Sequence, residues 1–269
     1  MTRALADTRE AFDAVADSYD RSNRENPLLC AMRERVQRTI TSRVPAGSHL
    51  LDLGCGPGTD AVVMARAGFR VTAIDWSPAM ADQAQQRVRV AGLADCVDVR
   101  HLGIHEVDRL DAAGTFAAAY SNFGPLNCVA DLPAAATRIA DRIAPGGLLI
   151  ASVIGRICPW EIAVYATRGD LPRALIRFRR GLVPVPLDGR TVWTRYLTPR
   201  EFEAPFRAAG MTRVSLQALG LLTPPPYLQA FAERHPALID RLQRAEDRCG
   251  RWPVLRTWGD HFLIVMRKA

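Results

Sequence analysis

Residues 49–75 read HLLDLGCGPGTDAVVMARAGFRVTAID. His49 to Leu53 is a short apolar run and predicts a buried strand. Gly54-Cys55-Gly56-Pro57-Gly58 predicts a tight turn. Thr59 to Ala67 sets Ala, Val and Met on one helical face until Gly68 stops it. Arg70 to Ile74 predicts a second strand, ending in Asp75. A strand, a glycine turn, a helix and a strand open a doubly wound α/β sheet. Glycines at 54, 56 and 58 let the backbone approach a ligand with no side chain between. The turn opens a helix whose first N–H groups favour an anionic ligand group. Asp75 can accept from two ribose hydroxyls. The unit therefore predicts a site for a nucleoside that carries a negative group.

A nicotinamide or flavin dinucleotide is one candidate, with the fingerprint G-x-G-x-x-G. Here the third glycine falls one position early, and Thr59 stands where that fingerprint takes Gly or Ala. Asp52 also precedes the turn. The pattern D-x-G-C-G-P-G, followed by an acid after the next strand, resembles the class I methyltransferases that use S-adenosylmethionine. The resemblance implies a Rossmann-like doubly wound α/β sheet of seven strands, order 3-2-1-4-5-7-6, with the last strand antiparallel. It places Asp52, Gly54, Cys55 and Gly56 around the methionine part of the cofactor and Asp75 on the ribose. It also implies S-adenosylhomocysteine as the product left in the site.

Length and composition fit one α/β domain with insertions: 269 residues, 48% apolar and 23% charged. No apolar run is long enough to span a membrane, and the N-terminus has no signal-peptide pattern. Cys30, Cys55, Cys96, Cys128, Cys158 and Cys249 form no C-x-x-C pair, which predicts reduced thiols in a cytoplasmic protein. The histidines lack metal-ligand spacing, so no structural zinc is expected. Net charge is +7, but Lys268 is the single lysine. An arginine excess of this kind is weak support for nucleic-acid binding.

Ahead of the glycine turn, residues 1–44 are expected to form a helical lid. F-D-x-V-A-x-x-Y-D around Tyr19 resembles the N-terminal lid of many small-molecule methyltransferases, in which the tyrosine closes over cofactor and substrate. Asn26-Pro27 separates that helix from a second, Leu28 to Arg43. Beyond Asp75, the resemblance sets Trp76 against adenine, with Met80 on the same edge. Ser77-Pro78 starts the next helix. Val97 to Leu102 is the third strand. Many relatives follow it with an aspartate for the adenine amino group; this chain has Ile104, leaving the backbone of Ile104 or His105 for that contact. The fourth strand, Phe116 to Tyr120, leads into Ser121-Asn122-Phe123-Gly124-Pro125-Leu126-Asn127, at the carboxyl edge where such sheets bind ligands. Ser121 and Asn122 are cofactor candidates, and Asn122 a catalytic one as well. Ala144-Pro145-Gly146-Gly147 precedes the fifth strand, Leu148 to Ile154, and closes a core of 45–154.

Two excursions remain. The first is a cap insertion, 155–198. The second is a mostly helical cap segment, 222–257, inside 199–269, which otherwise completes the sheet with strands at Thr212 to Leu219 and His261 to Arg267. Strand polarity predicts that both cover the ligand face. Substrate candidates are Tyr19, Phe123, Asn127, Trp160, Tyr165 and His261. Of the ionisable groups there, His261 at the mouth of the last strand is the first choice for a general base, with Tyr19 a further catalytic candidate. Nucleic-acid amino methyltransferases carry N/D-P-P-Y/F after the fourth strand, where this chain has SNFGPLN; Pro225-Pro226-Tyr227 comes after the sixth. The Pro-Cys of cytosine methyltransferases appears only reversed, as Cys158-Pro159. The expectation is therefore transfer to an O, N or C atom of a small, largely apolar metabolite or natural product, neutral or anionic, by a monomer or homodimer. RNA or protein methylation, dehydrogenase activity and non-catalytic nucleotide binding stay open as alternatives.

Overall fold

The computed structural model describes residues 3–111 and 115–269, with the side chains of Arg21 and Ser22 left aside. The first two residues of the expected lid lie outside that set. Helices α1 (Arg3–Glu25) and α2 (Pro27–Arg43) precede β1 (His49–Leu53), α3 (Thr59–Arg66), β2 (Arg70–Asp75) and α4 (Pro78–Val90). Then come β3 (Val97–His101), β4 (Phe116–Ser121), α5 (Leu132–Arg142) and β5 (Ile143–Ile154). The cap holds α6 (Pro159–Thr167), α7 (Leu171–Ala174), β6 (Val183–Leu187) and β7 (Arg190–Thr194). The chain ends with α8 (Pro199–Ala208), β8 (Met211–Leu219), α9 (Gln229–Arg234), α10 (Pro236–Cys249) and β9 (His261–Lys268).

The main sheet runs β3-β2-β1-β4-β5-β9-β8, and β9 is antiparallel to both neighbours. Counted within this sheet, that is the expected 3-2-1-4-5-7-6. Side-chain alternation splits its core into two layers. Leu51 and Leu53 join Ile139 of α5 and Phe202 and Phe206 of α8 on one face. Leu50 joins Val36 and Ile40 of α2, Met64 of α3 and Ala84 of α4 on the other.

Helix starts follow local chemistry. Asn26 accepts from the N–H groups of Leu28 and Leu29, and Pro27 supplies the fixed first φ. Ser77 caps α4, Asp131 caps α5, and Thr198 with Glu201 forms a capping box on α8. Gly58 precedes α3 at φ +76°, and a Cβ there would meet Ala84 of α4 at 2.9 Å. This glycine thus serves both the turn and the packing of two helices.

The cap insertion is not all helical. V-P-V-P-L pairs with R-T-V-W-T in a separate antiparallel hairpin. A two-stranded sheet has only edge strands, and Pro184 and Pro186 are exposed in it, which is where proline is tolerated in strands. Helix α1 lies against this hairpin: Thr8 Oγ1 accepts from the Trp193 backbone N–H at 3.0 Å, and Asp7 accepts from Trp193 Nε1 at 3.0 Å. Further along, Asp20 pairs with Arg87 of α4 at 2.6 Å and accepts from Thr59 at 3.2 Å. Helix α1 therefore spans the carboxyl edge of the sheet from the hairpin to the glycine turn.

The second excursion docks on α2. Glu246 of α10, 1% exposed, pairs with Arg35 and accepts from the N–H groups of Gly220, Leu221 and Leu222. Leu28, Ala232 and Ile239 pack beside it.

Candidate functional site

A cavity of about 380 Å³ opens at the carboxyl edge of the sheet, roofed by α1 and the hairpin. At its centre is the glycine turn. Asp75 accepts from the Gly56 N–H at 2.8 Å and from the Ser77 N–H at 2.9 Å, so one carboxylate shapes both turns beside it. Burial pushes its pKa up to about 6, against the lowering effect of those two N–H groups. A Cβ on Gly56 would project into open space, whereas one on Gly54 would strike Pro125 at 2.5 Å. Gly56 therefore leaves room at the cavity wall, and Gly54 lets the loop after β4 pack on the turn.

Asp52 sits deeper. Burial, and then the neighbouring Asp60, push its carboxyl well above the usual range, opposed by a 2.9 Å hydrogen bond from Tyr120. No cation is paired with it among the described residues, so a ligand ammonium placed there would favour the ionised form. Asp60 accepts from Gln37 at 2.6 Å and from Asn122 at 3.2 Å, and lies 3.6 Å from Arg33. The guanidinium of Arg33 stands 5.0 Å over the ring of Phe123.

Beyond Asp75, Trp76 packs edge-on against His105 at 4.6 Å and beneath Arg9 at 5.7 Å. Burial lowers the His105 pKa, which favours the neutral ring. Met80 and Ile104 also line the cavity. Phe12 and Tyr19, packed in one cluster with Met80, join Phe123, Ile154 and Val192 in an apolar chamber. Tyr19 meets Phe12 edge-on at 5.9 Å and shares a hydrogen bond with Asn23; burial raises its pKa. Several buried polar atoms of the lining have no hydrogen-bond partner among the described residues: Trp76 Nε1, Asn122 Oδ1 and Arg9 Nε. A ligand that is apolar in its body and polar at several points fits this wall.

Of the cofactor candidates, Asp52, Gly54, Cys55, Gly56, Asp75, Trp76, Met80, Ile104, His105 and Asn122 all line the cavity. Ser121 does not; its hydroxyl donates to the Leu53 carbonyl at 2.9 Å. Of the substrate candidates, Tyr19 and Phe123 line it and the others lie outside the lining. Asn127 is fully buried and ties its loop to the Ile154 backbone at 3.0 Å and to the Arg195 carbonyl at 2.7 Å. Trp160 donates to the Leu222 carbonyl, and Tyr165 faces Tyr227.

His261 stands behind Phe123, edge-on at 6.2 Å. Its Nδ1 is 2.9 Å from Asp260, and its buried Nε2 has no partner. Arg177 donates to Asp260 and to both oxygens of Glu161. His261 and Arg177 hold the Asp260 carboxyl well below the usual range, overcoming burial. Cys158, Glu161 and Asp260 would bring ligand atoms within 4.8 Å of one another, but Arg177 is the cation that their carboxylates hold. Sequence reasoning missed Arg9, Phe12, Arg33, Asp60, Val192 and Thr194. Only Asp60, an acid in the helical turn directly after the glycines, had a local signal.

A family model described as a methyltransferase domain matches residues 50–147. A ubiquinone biosynthesis O-methyltransferase of Xanthomonas axonopodis pv. citri is 31% identical over 148 residues, 55% of this chain and 60% of that protein. The chain thus spans less than two thirds of that relative's length. One of the same name from Xanthomonas oryzae pv. oryzae is 31% identical over 198 residues, covering 69% of this chain and 77% of its own. Among solved structures, a geranyl diphosphate methyltransferase in complex with GPP and sinefungin superposes with TM-score 0.59 at 19% identity, over 90% of this chain and 78% of that one. At that identity the likeness is one of fold, and it agrees with the strand order found here. With these matches, the glycine turn and the seven-stranded order, the chain belongs to the class I S-adenosylmethionine-dependent methyltransferases.

Proposed function

We propose that the chain moves a methyl group from S-adenosylmethionine to an O, N or C atom of a small, largely apolar metabolite. The observation that carries this reading is one cavity whose lining brings the carboxylates of Asp52 and Asp75 and the ring of Trp76 together with an apolar chamber of Phe12, Tyr19, Phe123, Ile154 and Val192. In this assignment Asp75 takes the ribose hydroxyls and Trp76 with Ile104 holds the adenine. Asp52 faces the ammonium group, and Arg33 faces an anionic group of the ligand. Bound there, S-adenosylmethionine supplies the sulfonium leaving group. The protein's part is alignment of the acceptor in line with it and exclusion of water.

Tyr19 and Phe123 flank the acceptor, and Asn122, with its unpartnered Oδ1, orients it. His261 is the proposed base for an acidic acceptor: Asp260 fixes its Nδ1 and leaves Nε2 to take a proton. Phe123 stands between it and the cavity, so this role needs that ring to turn aside. The relatives' names, for ubiquinone biosynthesis and geranyl diphosphate methylation, support an apolar acceptor. Calorimetric titration tests the cofactor class: S-adenosylhomocysteine should bind and NAD should not. Transfer of a labelled methyl group to apolar phenols or isoprenoids tests the acceptor class. Binding of NAD alone would overturn the reading.

A further inference from the structure

Residues 171–178 are folded inside out. In α7 and the turn that follows it, the buried residues are Ala174 and Arg177. The large apolar side chains face solvent: Leu171 is 60% exposed, Leu175 54% and Phe178 44%. They alternate with the buried Ala174 and Arg177 along two short helical turns and form an exposed apolar stripe of the chain. The cause is Arg177, whose guanidinium is consumed by Glu161, Asp260 and the Gly155 carbonyl. With that face turned inward, the apolar stripe has to point out, and the buried ion cluster fixes it there.

The surroundings of the stripe are basic. Within 168–181, Arg168, Arg173, Arg179 and Arg180 are exposed, and Asp170 is the single acid. Arg180 also borders a surface cleft shared with Arg195 and with Arg156, which is paired with Glu201 at 2.9 Å. Exposed apolar side chains flanked in sequence by exposed arginines match the two layers of an anionic bilayer surface, acyl boundary below and phosphates above. A second copy of the chain would set these arginines against themselves. No helix among the described residues is long and apolar enough to cross a membrane, so contact here would be peripheral.

We propose that this face of the cap docks on anionic lipid, with Leu171, Leu175 and Phe178 in the acyl boundary and the arginines on headgroup phosphates. The proposal stands apart from the catalytic reading. The full chain is sedimented with vesicles of phosphatidylcholine alone or mixed with phosphatidylglycerol, at low and high salt. The expected result is binding to the mixed vesicles only, weakened by salt. Leu171→Ser with Leu175→Ser and Phe178→Ser should weaken it at least about tenfold. Arg179→Glu with Arg180→Glu should do the same without touching the stripe, and decides the matter if the triple variant fails to fold. Wild-type binding by the charge variant, or none by the wild type, overturns the proposal. So does a wild-type dimer that the stripe variant turns into a monomer, since the stripe would then be a protein interface.

Discussion

Replacing Asp75 by Asn separates binding from folding. The carboxylate is raised to about 6 by burial, so in the folded chain it holds its proton more tightly than in the unfolded one. The ionised form therefore costs stability, in full above about pH 6, and the cost fades as pH falls toward the unfolded value. At neutral pH it is about 3 kcal/mol. Asn removes that cost. Its amide, however, cannot accept from both Gly56 and Ser77, and losing one of those bonds costs about 1–3 kcal/mol. The two nearly cancel, so the melting temperature of the free protein should move by less than about 4 °C. Binding has no such compensation. The ribose hydroxyls lose a charged acceptor worth about 1.5–3 kcal/mol, about a 10- to 150-fold rise in Kd. Calorimetric titration with S-adenosylhomocysteine, beside a thermal melt, reads both quantities. Affinity within about threefold of wild type would refute the ribose assignment, since no charged bond was lost. A melting temperature more than about 10 °C lower would make Asp75 a holder of the turn and not a ligand group.

Other outcomes follow from the same geometry. Wild-type affinity for S-adenosylhomocysteine should be flat above about pH 7 and weaken about tenfold per unit below about 6, as Asp75 is protonated; a flat profile to about pH 5 would contradict it. Gly56→Val should weaken binding at least about a hundredfold, because its side chain enters the cavity at a φ of +52° that valine resists; normal binding would remove the glycine turn from the site. Arg35→Met leaves Glu246 buried and uncompensated at a cost of about 3–5 kcal/mol, so melting should fall by about 10 °C; an unchanged melt would show that the three backbone N–H groups suffice. His261→Ala should lower turnover about 10²–10⁴-fold with unchanged cofactor affinity; a loss under about threefold would leave alignment as the source of rate.

What the sequence disclosed was what local chemistry determines. The strand–turn–helix–strand unit from His49 to Asp75, the Ser77 cap and the Thr198 capping box all lie within a few residues of their causes. So does the β9 run, whereas the sheet order was implied by the family resemblance and not by local chemistry. The roof was less legible. V-P-V-P-L suggests no strand by itself, because its prolines are tolerable only once Arg190–Thr194 pairs with it and both edges stay open. Arg9, Arg33 and Val192 reach the cavity through the packing of α1, α2 and the hairpin, which no spacing in the chain reveals. His261 shows the opposite limit. Its strand position was readable, but the cavity lining takes in Phe123 and not His261, and the φ of +60° at Phe123 is one that sequence patterns do not forecast for phenylalanine.

The central claim is that one cavity holds both the cofactor and the methyl acceptor, and a crystal structure with S-adenosylhomocysteine tests it most directly. The account predicts ribose hydroxyls within about 3 Å of the Asp75 carboxylate and adenine against Trp76. The sulfur should face the chamber of Tyr19, Phe123 and Ile154. Ligand density elsewhere on the sheet, or a sulfur turned toward solvent with that chamber closed off, would contradict it.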